Sequence, residues 1–321
     1  MAVPANTGQT YAYTTIKEDL EDVVYKITPT ETPVFNLVGR GGVFTQRLHE
    51  WSTVELASPN GDNKNIEGDD VTNDAPTVAT RLANYAQLMD KVCGVSSTNE
   101  RVKSAGSVTK MAKQVLYKTQ EIKRDLETRM LSNSAAAAGA AGVAHETAGL
   151  GAFLKTNVSR GAGGTNPTLS GGTSGYPNAG PGNGTQREFT EALLTPVLQA
   201  VWEQGGNASH IIVGGFNKRQ ASAFDGNASR FKRAEDKKLI AAIEVYESDF
   251  GQLQIVPSRH TVTRQAYILD PEFVEVGWLQ KMQNVDIAKL GHSDRRMVWC
   301  EWGLIVGNEK ALGIVADLTT S

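Results

Sequence analysis

SPNGDNKNIEGDDVTNDAP (residues 58–76) and SVTKMAKQVLYKTQEIKRDLETRM (residues 107–130) stand close together in the chain and decide its fold. The first is polar and acidic, with Asp62, Glu67, Asp69, Asp70 and Asp74 set among Gly61, Gly68 and several asparagines. It joins two extended stretches. Residues 44–57 place Leu48, Val54 and Leu56 in one parity and Trp51 in the other, and residues 77–95 carry Leu82, Tyr85, Leu88, Met89 and Val92. At roughly 3.3 Å per residue, two strands of this length predict a hairpin about 40 Å long with a soft acidic tip. Its apolar content is too thin for a free-standing ribbon, and an isolated two-stranded hairpin is marginal in water. Such a hairpin needs a surface to lie on, in its own chain or in a neighbour's.

In the second stretch Val108, Met111, Val115, Ile122, Leu126 and Met130 recur at helical spacing, with Thr119 filling the gap in the stripe. Ser107, directly after Gly106, reads as the N-cap. No Pro or Gly interrupts residues 107–138, so a single helix longer than about 40 Å is expected there. Lys123 with Glu127, and Asp125 with Arg129, read as solvent-facing i,i+4 pairs.

Outward from these two elements the chain is less regular. Residues 1–38 read as an arm, with Thr14 or Thr15 capping a short helical run over 16–25 that Pro29 and Pro33 stop. Residues 156–188 hold Gly, Ser, Thr, Asn and Pro with almost no apolar anchor, and read as a flexible loop at a domain boundary. Beyond it, Phe189, Leu193, Val197 and Val201 mark a helix that Gly205 and Gly206 end. A buried strand over 211–213 leads through Gly214 and Gly215 into a helix near 216–224. Strands are expected near 243–245 and 253–256, joined by a turn at Asp249, Phe250 and Gly251, then over 266–269, 274–279, 297–306 and 313–317.

Composition excludes several function classes. With 321 residues, 40% hydrophobic and 21% charged, a sizeable core is available and global disorder is not. Lys+Arg 32 against Asp+Glu 35 demands neither a nucleic-acid nor a membrane partner. Two cysteines, Cys93 and Cys300, form no disulfide framework and suit a reducing compartment. No secretory leader or membrane-spanning run is read. The five histidines, His49, His145, His210, His260 and His292, never pair at ligand spacing, so no metal and no cofactor is expected. The strand, glycine pair and helix around His210 to Lys218 form the most enzyme-like pattern, a phosphate site at a helix start. A tight turn where only glycine fits accounts for it better. Lys218, Arg219, Arg230, Lys232, Arg233, Lys237 and Lys238 make a basic stretch offset by Asp225, Glu235 and Asp236. It reads as a solvated face or an intersubunit ion-pairing contact before it reads as a binder of DNA phosphates.

Several stretches carry a family resemblance. They are Pro29-Thr30-Glu31-Thr32-Pro33 leading to Gly39-Arg40-Gly41, Leu48-His49-Glu50-Trp51, Ile66-Glu67-Gly68, Lys123-Arg124-Asp125-Leu126-Glu127, and Trp202-Glu203-Gln204-Gly205-Gly206-Asn207. Val213-Gly214-Gly215-Phe216-Asn217-Lys218, Asp236-Lys237-Lys238-Leu239, Val245-Tyr246-Glu247-Ser248-Asp249-Phe250-Gly251 and Asp317-Leu318-Thr319-Thr320-Ser321 continue the series. In this order the chain resembles the major capsid proteins of tailed bacteriophages, which have the Hong Kong 97-type fold. The resemblance implies an α+β fold with an N-terminal arm (1–38), an extended-loop hairpin (39–95), a peripheral domain with the spine helix and Gly-rich loop (96–188), an axial domain (189–285) and a C-terminal return (286–321).

It further implies a structural protein without enzymatic activity, self-assembling into the pentamers and hexamers of an icosahedral head around double-stranded DNA. Its implied partners are copies of itself, a separate scaffolding protein, a portal and a cement protein, with no membrane. The implied location is the virion, after assembly in the host cytoplasm. Candidate intersubunit contacts are Trp51, Asp62, Glu67, Asp69 and Asp70 on the hairpin, Arg40 at its root, and Arg230 and Arg233 in the basic stretch. An encapsulin-like shell that encloses enzymes is the alternative, and a phosphate-ligand enzyme centred on Lys218 the remote one.

Overall fold

The computed structural model describes residues 28–68, 70, 73–103, 109–224 and 245–321. The arm helix expected over 16–25, Ser107 and its capping role, Ile243, Asp69, Arg230 and Arg233 lie outside the described residues. In chain order the elements are α1 (Pro33–Leu37), β1 (Gly39–Val43), β2 (Leu48–Thr53), β3 (Thr80–Tyr85), β4 (Gln87–Ser96), α2 (Ser97–Arg101) and α3 (Lys110–Met130). Then come β5 (Val158–Ser159), β6 (Thr168–Leu169), β7 (Pro177–Ala179), α4 (Glu191–Glu203), β8 (His210–Val213), α5 (Gly215–Ala221), β9 (Val245–Ser248) and β10 (Gly251–Pro257). Last are β11 (Ala266–Leu269), β12 (Val274–Ile287), β13 (Ser293–Val306) and β14 (Gly313–Val315).

Two sheets organise the chain. The first, ordered β1-β12-β13-β4, carries α3 across β4 and β13. Its centre is the long β12–β13 hairpin, 14 residues in each strand and about 45 Å long. Only short pieces of these strands are expected from the sequence, 274–279 and 297–306, because Met282, Val285, Ile287 and Leu290 are sparse among polar residues of 280–296 and keep no single parity. Pairing with β4 as a third strand, from Trp302 opposite Gln87 to Ser293 opposite Ser96, supplies the support that the pattern lacks.

The second sheet, ordered β5-β14-β11-β8-β10-β9, is buried on both faces at its central strands β14, β11 and β8. Ile211, Val213, Ala266, Ile268 and Val315 meet Leu194, Val197, Leu198 and Val201 of α4. Ile212, Tyr267 and Ile314, paired side by side, face the core beneath α3 with Ile122, Leu126, Met130 and Trp302. Burial on both faces explains why β8 and β11 read as continuous apolar runs.

Helix α3 is shorter than the reading of residues 107–138. It spans 21 residues, about 31 Å, and stops at Met130. Ala135 to Ala138 favour helix intrinsically, but tertiary partners take the backbone instead. Ser132 Oγ donates to the Arg129 carbonyl, Gly151 N–H donates to the Ser132 carbonyl, and Tyr267 OH donates to the Leu131 carbonyl. Neither expected i,i+4 pair forms. Asp125 pairs with Lys91 of β4 at 2.8 Å, Arg129 with Glu146 at 3.0 Å, and Glu127 is buried.

The segment 156–188 is also not the loose loop of the sequence reading. β5 joins the second sheet beside β14, and β6 pairs with β7. Asp317 ties the rest down. Its carboxylate accepts from Gly161 N at 3.0 Å and Gly184 N at 2.7 Å, and Arg264 lies 3.4 Å away. Asp317 is 2% exposed and holds φ at 59°, a left-handed conformation that aspartate tolerates better than most residues. The remaining expectations for the second sheet correspond to α4, β8, α5, the β9–β10 hairpin turning at Gly251, β11 and β14.

Candidate intersubunit surface

The hairpin between β2 and β3 exists, but its ladder covers six residues per strand, from Leu48 opposite Tyr85 to Thr53 opposite Thr80. That is about 20 Å, half the expected length. The stretch read as one strand over 77–95 breaks at Ala86, whose N–H donates to the Arg47 carbonyl, and continues as β4 in the other sheet. Among the described residues 54–79 there is no strand.

Three devices lock the hairpin's root to its own subunit. Phe44, 2% exposed, lies on a pair of facing glycines, Gly277 of β12 and Gly303 of β13, and stacks on His49 at 4.4 Å. No side chain fits beneath that ring, since a Cβ on Gly277 would come within 2.3 Å of it. Burial depresses the His49 imidazole, and Glu275 partly opposes the shift, so His49 stacks as a neutral ring at physiological pH.

Trp51 donates its indole N–H to the Val306 carbonyl at 2.8 Å and packs by Phe153. Asn84, 0% exposed, donates to the Leu304 carbonyl at 2.7 Å and to Thr147 Oγ1 at 3.0 Å, while its Oδ1 accepts from Ala148 N at 2.9 Å. Farther out, Lys310 pairs with Glu55 at 2.7 Å. Beneath this root lies a cavity of about 610 Å³ lined by Leu56, Val78, Leu82, Phe153 and Lys155, among others.

Beyond the last ladder pair the side chains are open to solvent. Leu56 is 86% exposed, and Val54, Ile66 and Val78 are exposed too. Asp62, paired with Lys64 at 3.5 Å, and Glu67 and Asp70 are exposed in the same segment. Of the other candidates, Arg40 is exposed with its guanidinium over the Phe35 ring at 5.3 Å. Trp51 serves an internal anchor. The tip therefore combines acid with uncovered apolar side chains, a pairing typical of surfaces made to meet protein. Sequence reasoning missed Phe44 and Asn84. A Phe followed by glycines far downstream carries no local signal, and a mid-strand Asn reads as a surface residue.

The phosphate-site pattern has a structural explanation. Lys218 donates to the Ile255 carbonyl at 3.0 Å, tying α5 to β10, and Asn217 donates to the Thr263 carbonyl. Among the described residues no cluster of His, Cys, Asp and Glu is arranged for a metal, and no helix is long and apolar enough to cross a membrane.

The profile of the SU10 major capsid protein family matches residues 5–319. The chain belongs to that family. This is a family of structural proteins of the phage virion, not of enzymes. The major capsid protein of Escherichia phage Phieco32 is 31% identical over 109 residues, and the match spans about a third of each chain. Among solved structures, the capsid of a native GTA particle superposes with a TM-score of 0.64 at 11% identity, covering 98% of this chain and 100% of that one. The Cyanophage A-1(L) capsid gives 0.64 at 14% identity, covering 95% and 97%. The SrpI encapsulin of Synechococcus elongatus gives 0.55 at 11%, covering 98% and 97%. At these identities the likeness establishes the fold, which is the Hong Kong 97-type capsid fold.

Proposed function

We propose that this SU10-family capsid protein closes an icosahedral head from pentamers and hexamers, and that its hairpin tip supplies a contact lying on an adjacent subunit. The observation that carries this reading is the contrast within one hairpin, a root fixed three ways to its own chain and a tip with Leu56, Ile66 and Val78 uncovered. We assign the extended loop to residues 44–86 instead of 39–95, because β1 and β4 lie in the α3 sheet, and 96–188 with those two strands to the peripheral domain, to which the last strands return. The axial part is drawn as residues 189–269 instead of 189–285, because β12 begins at Val274 and lies in the α3 sheet throughout. Asp62, Glu67, Asp69 and Asp70 are assigned to a basic surface of the neighbour, for which Arg230 and Arg233 are candidates. Double-stranded DNA is the enclosed cargo, held without sequence readout. A separate scaffolding protein, a portal, a cement protein and assembly in the host cytoplasm complete the proposal.

Deleting residues 58–75 tests the contact. The expected outcome is a folded subunit, judged by circular dichroism and a cooperative unfolding transition, that yields no closed shells by electron microscopy. Normal shells from the deletion variant would refute the assignment. The encapsulin likeness supports a second reading only for the cargo, and particles filled with a protein enzyme in place of DNA would favour it.

A further inference from the structure

Glu127 sits on the underside of α3 at 0% exposure, where three distant parts of the chain meet. Its Oε2 accepts from Phe35 N at 3.3 Å, in α1 at the base of the arm, and the neighbouring Val34 N–H faces the same carboxylate. Its Oε1 accepts from Ser258 Oγ at 2.9 Å, in the connection that leaves β10 of the second sheet. Ser258 is itself 2% exposed, takes the His260 N–H at 3.2 Å, and donates its own N–H to the Val213 carbonyl at 2.9 Å.

The charged groups around this point do not compensate the carboxylate. α1 contains none. On α3, Lys123 and Arg124 lie one turn earlier. On the β10–β11 connection, burial first and then the Arg124 and Arg259 charges hold the His260 imidazole low, with Asp125 opposing. Among the described residues no cation forms an ion pair with Glu127. An ionised carboxylate buried without a counter-charge is unfavourable even when hydrogen-bonded.

The hydrogen-bond geometry does not require the charge. The two α1 N–H groups need an acceptor, which a neutral acid still provides through its carbonyl oxygen. Ser258 Oγ, which already accepts from His260 N–H, has a second lone pair for an acid O–H and turns its own proton away when it accepts one. The joint therefore accommodates both protonation states with the same heavy-atom positions, and only one of them carries the desolvation cost.

We propose that Glu127 is a proton-operated joint between the arm base, the spine helix and the axial sheet, loosened while the carboxylate is ionised and tightened when it is neutral. Burial pushes the Glu127 carboxyl above the ordinary glutamate range, outweighing the Ser258, Phe35 and Val34 hydrogen bonds that favour the charged form, in keeping with this. The sign follows. The folded subunit holds this proton to higher pH than the unfolded chain does. The joint's stabilising contribution is complete at low pH and is lost as pH rises from the ordinary glutamate range through the raised value. The inference concerns the single subunit and stands whether or not the tip contact is assigned correctly.

Glu127→Gln tests it, because a glutamine places its carbonyl oxygen toward Val34 and Phe35 and its NH₂ toward Ser258 without a charge. Denaturant unfolding of unassembled subunits is measured from pH 5 to pH 8, with amide exchange at Val34 and Phe35 read alongside. The variant is expected to be the more stable protein at neutral pH. Its advantage should shrink by up to about tenfold in the unfolding constant per pH unit on acidification and vanish at the acid end. Protection of Val34 and Phe35 should rise on acidification in the wild type only. Parallel stability profiles, a variant less stable at neutral pH, or a variant that fails to fold would each overturn the proposal. Glu127→Leu serves as the control, expected to be pH-insensitive but weaker throughout, since it orphans the α1 N–H groups.

Discussion

The glycine pair beneath Phe44 makes a quantitative claim about how the hairpin is fixed. Alanine at Gly277 would put a carbon 2.3 Å from Phe44 Cε1, 2.5 Å from Cδ1 and 3.1 Å from Ile305 Cδ1. Carbon atoms rest at roughly 3.5–4.0 Å, so the ring must rise by more than about 1 Å. It is poorly placed to do so. The Phe44 N–H donates to the Trp278 carbonyl at 3.0 Å, and the ring is stacked against His49 with 17° between planes. Overpacking of this kind costs about 1–3 kcal/mol. Phe44→Ala removes the ring instead and costs about 3–5 kcal/mol. In the double variant the new methyl enters the space the ring has left, and alanine in a strand interior gains about 0.5–1 kcal/mol over glycine. The double variant should therefore be no less stable than Phe44→Ala alone, a coupling of about 1–3 kcal/mol in a double-mutant cycle. Urea unfolding of unassembled subunits measures all four species. Additivity within about 0.5 kcal/mol, or a Gly277→Ala variant as stable as the wild type, would refute the packing argument.

Asp317→Ala should cost about 3 kcal/mol or more, because it orphans the Gly161 and Gly184 N–H groups and leaves a left-handed backbone on a residue that resists it. Asp317→Asn should cost less, and limited proteolysis of the alanine variant should cut first within 156–188. Cys300 is fully buried, which pushes its thiol up to about 12, so iodoacetamide at pH 8 should leave it unmodified until the subunit unfolds. Mass spectrometry across a denaturant series reads this directly, and alkylation ahead of the unfolding transition would contradict it.

The parts of the fold legible in the sequence are those governed by local periodicity. The α3 stripe from Met111 to Met130, the α4 stripe closed by Gly205 at φ +88°, and the Asp249 to Gly251 turn are all local patterns. Lengths were misread wherever tertiary partners overrule propensity. The 135–138 alanines leave the helix because Tyr267 and Gly151 bind the carbonyls that follow Met130. Residues 280–287 and 293–296 become strand because β13 lies between β12 and β4 and pairs with both, although nothing in their own order asks for it. Polar residues were the least legible. Glu127 and Asp125 sit two positions apart in a charged run, yet one faces solvent and the other a closed joint. One-dimensional spacing places Glu127 only at the margin of the apolar stripe, and its partners are 92 and 131 residues away.

The internally anchored root narrows the surface a neighbouring subunit would meet under the proposed contact. A side chain that anchors the hairpin root is held by its own subunit, since moving it would undo the register of Leu48 to Thr53 against Thr80 to Tyr85. Trp51 meets that description through its bond to Val306, as Asn84 does through Leu304. Arg40 and the acids of the tip do not. Under the proposed contact, a fixed root with a tip outside the strand ladder would reduce the ordering that a neighbour must impose, because only residues beyond Thr53 and before Thr80 would need fixing on contact. A ring of such head-to-tail contacts would repeat that saving at every subunit, so weak individual contacts would close a shell provided the root holds each tip at one angle. Loosening the root, as Gly277→Ala does, should then harm assembly more than its cost to the single subunit.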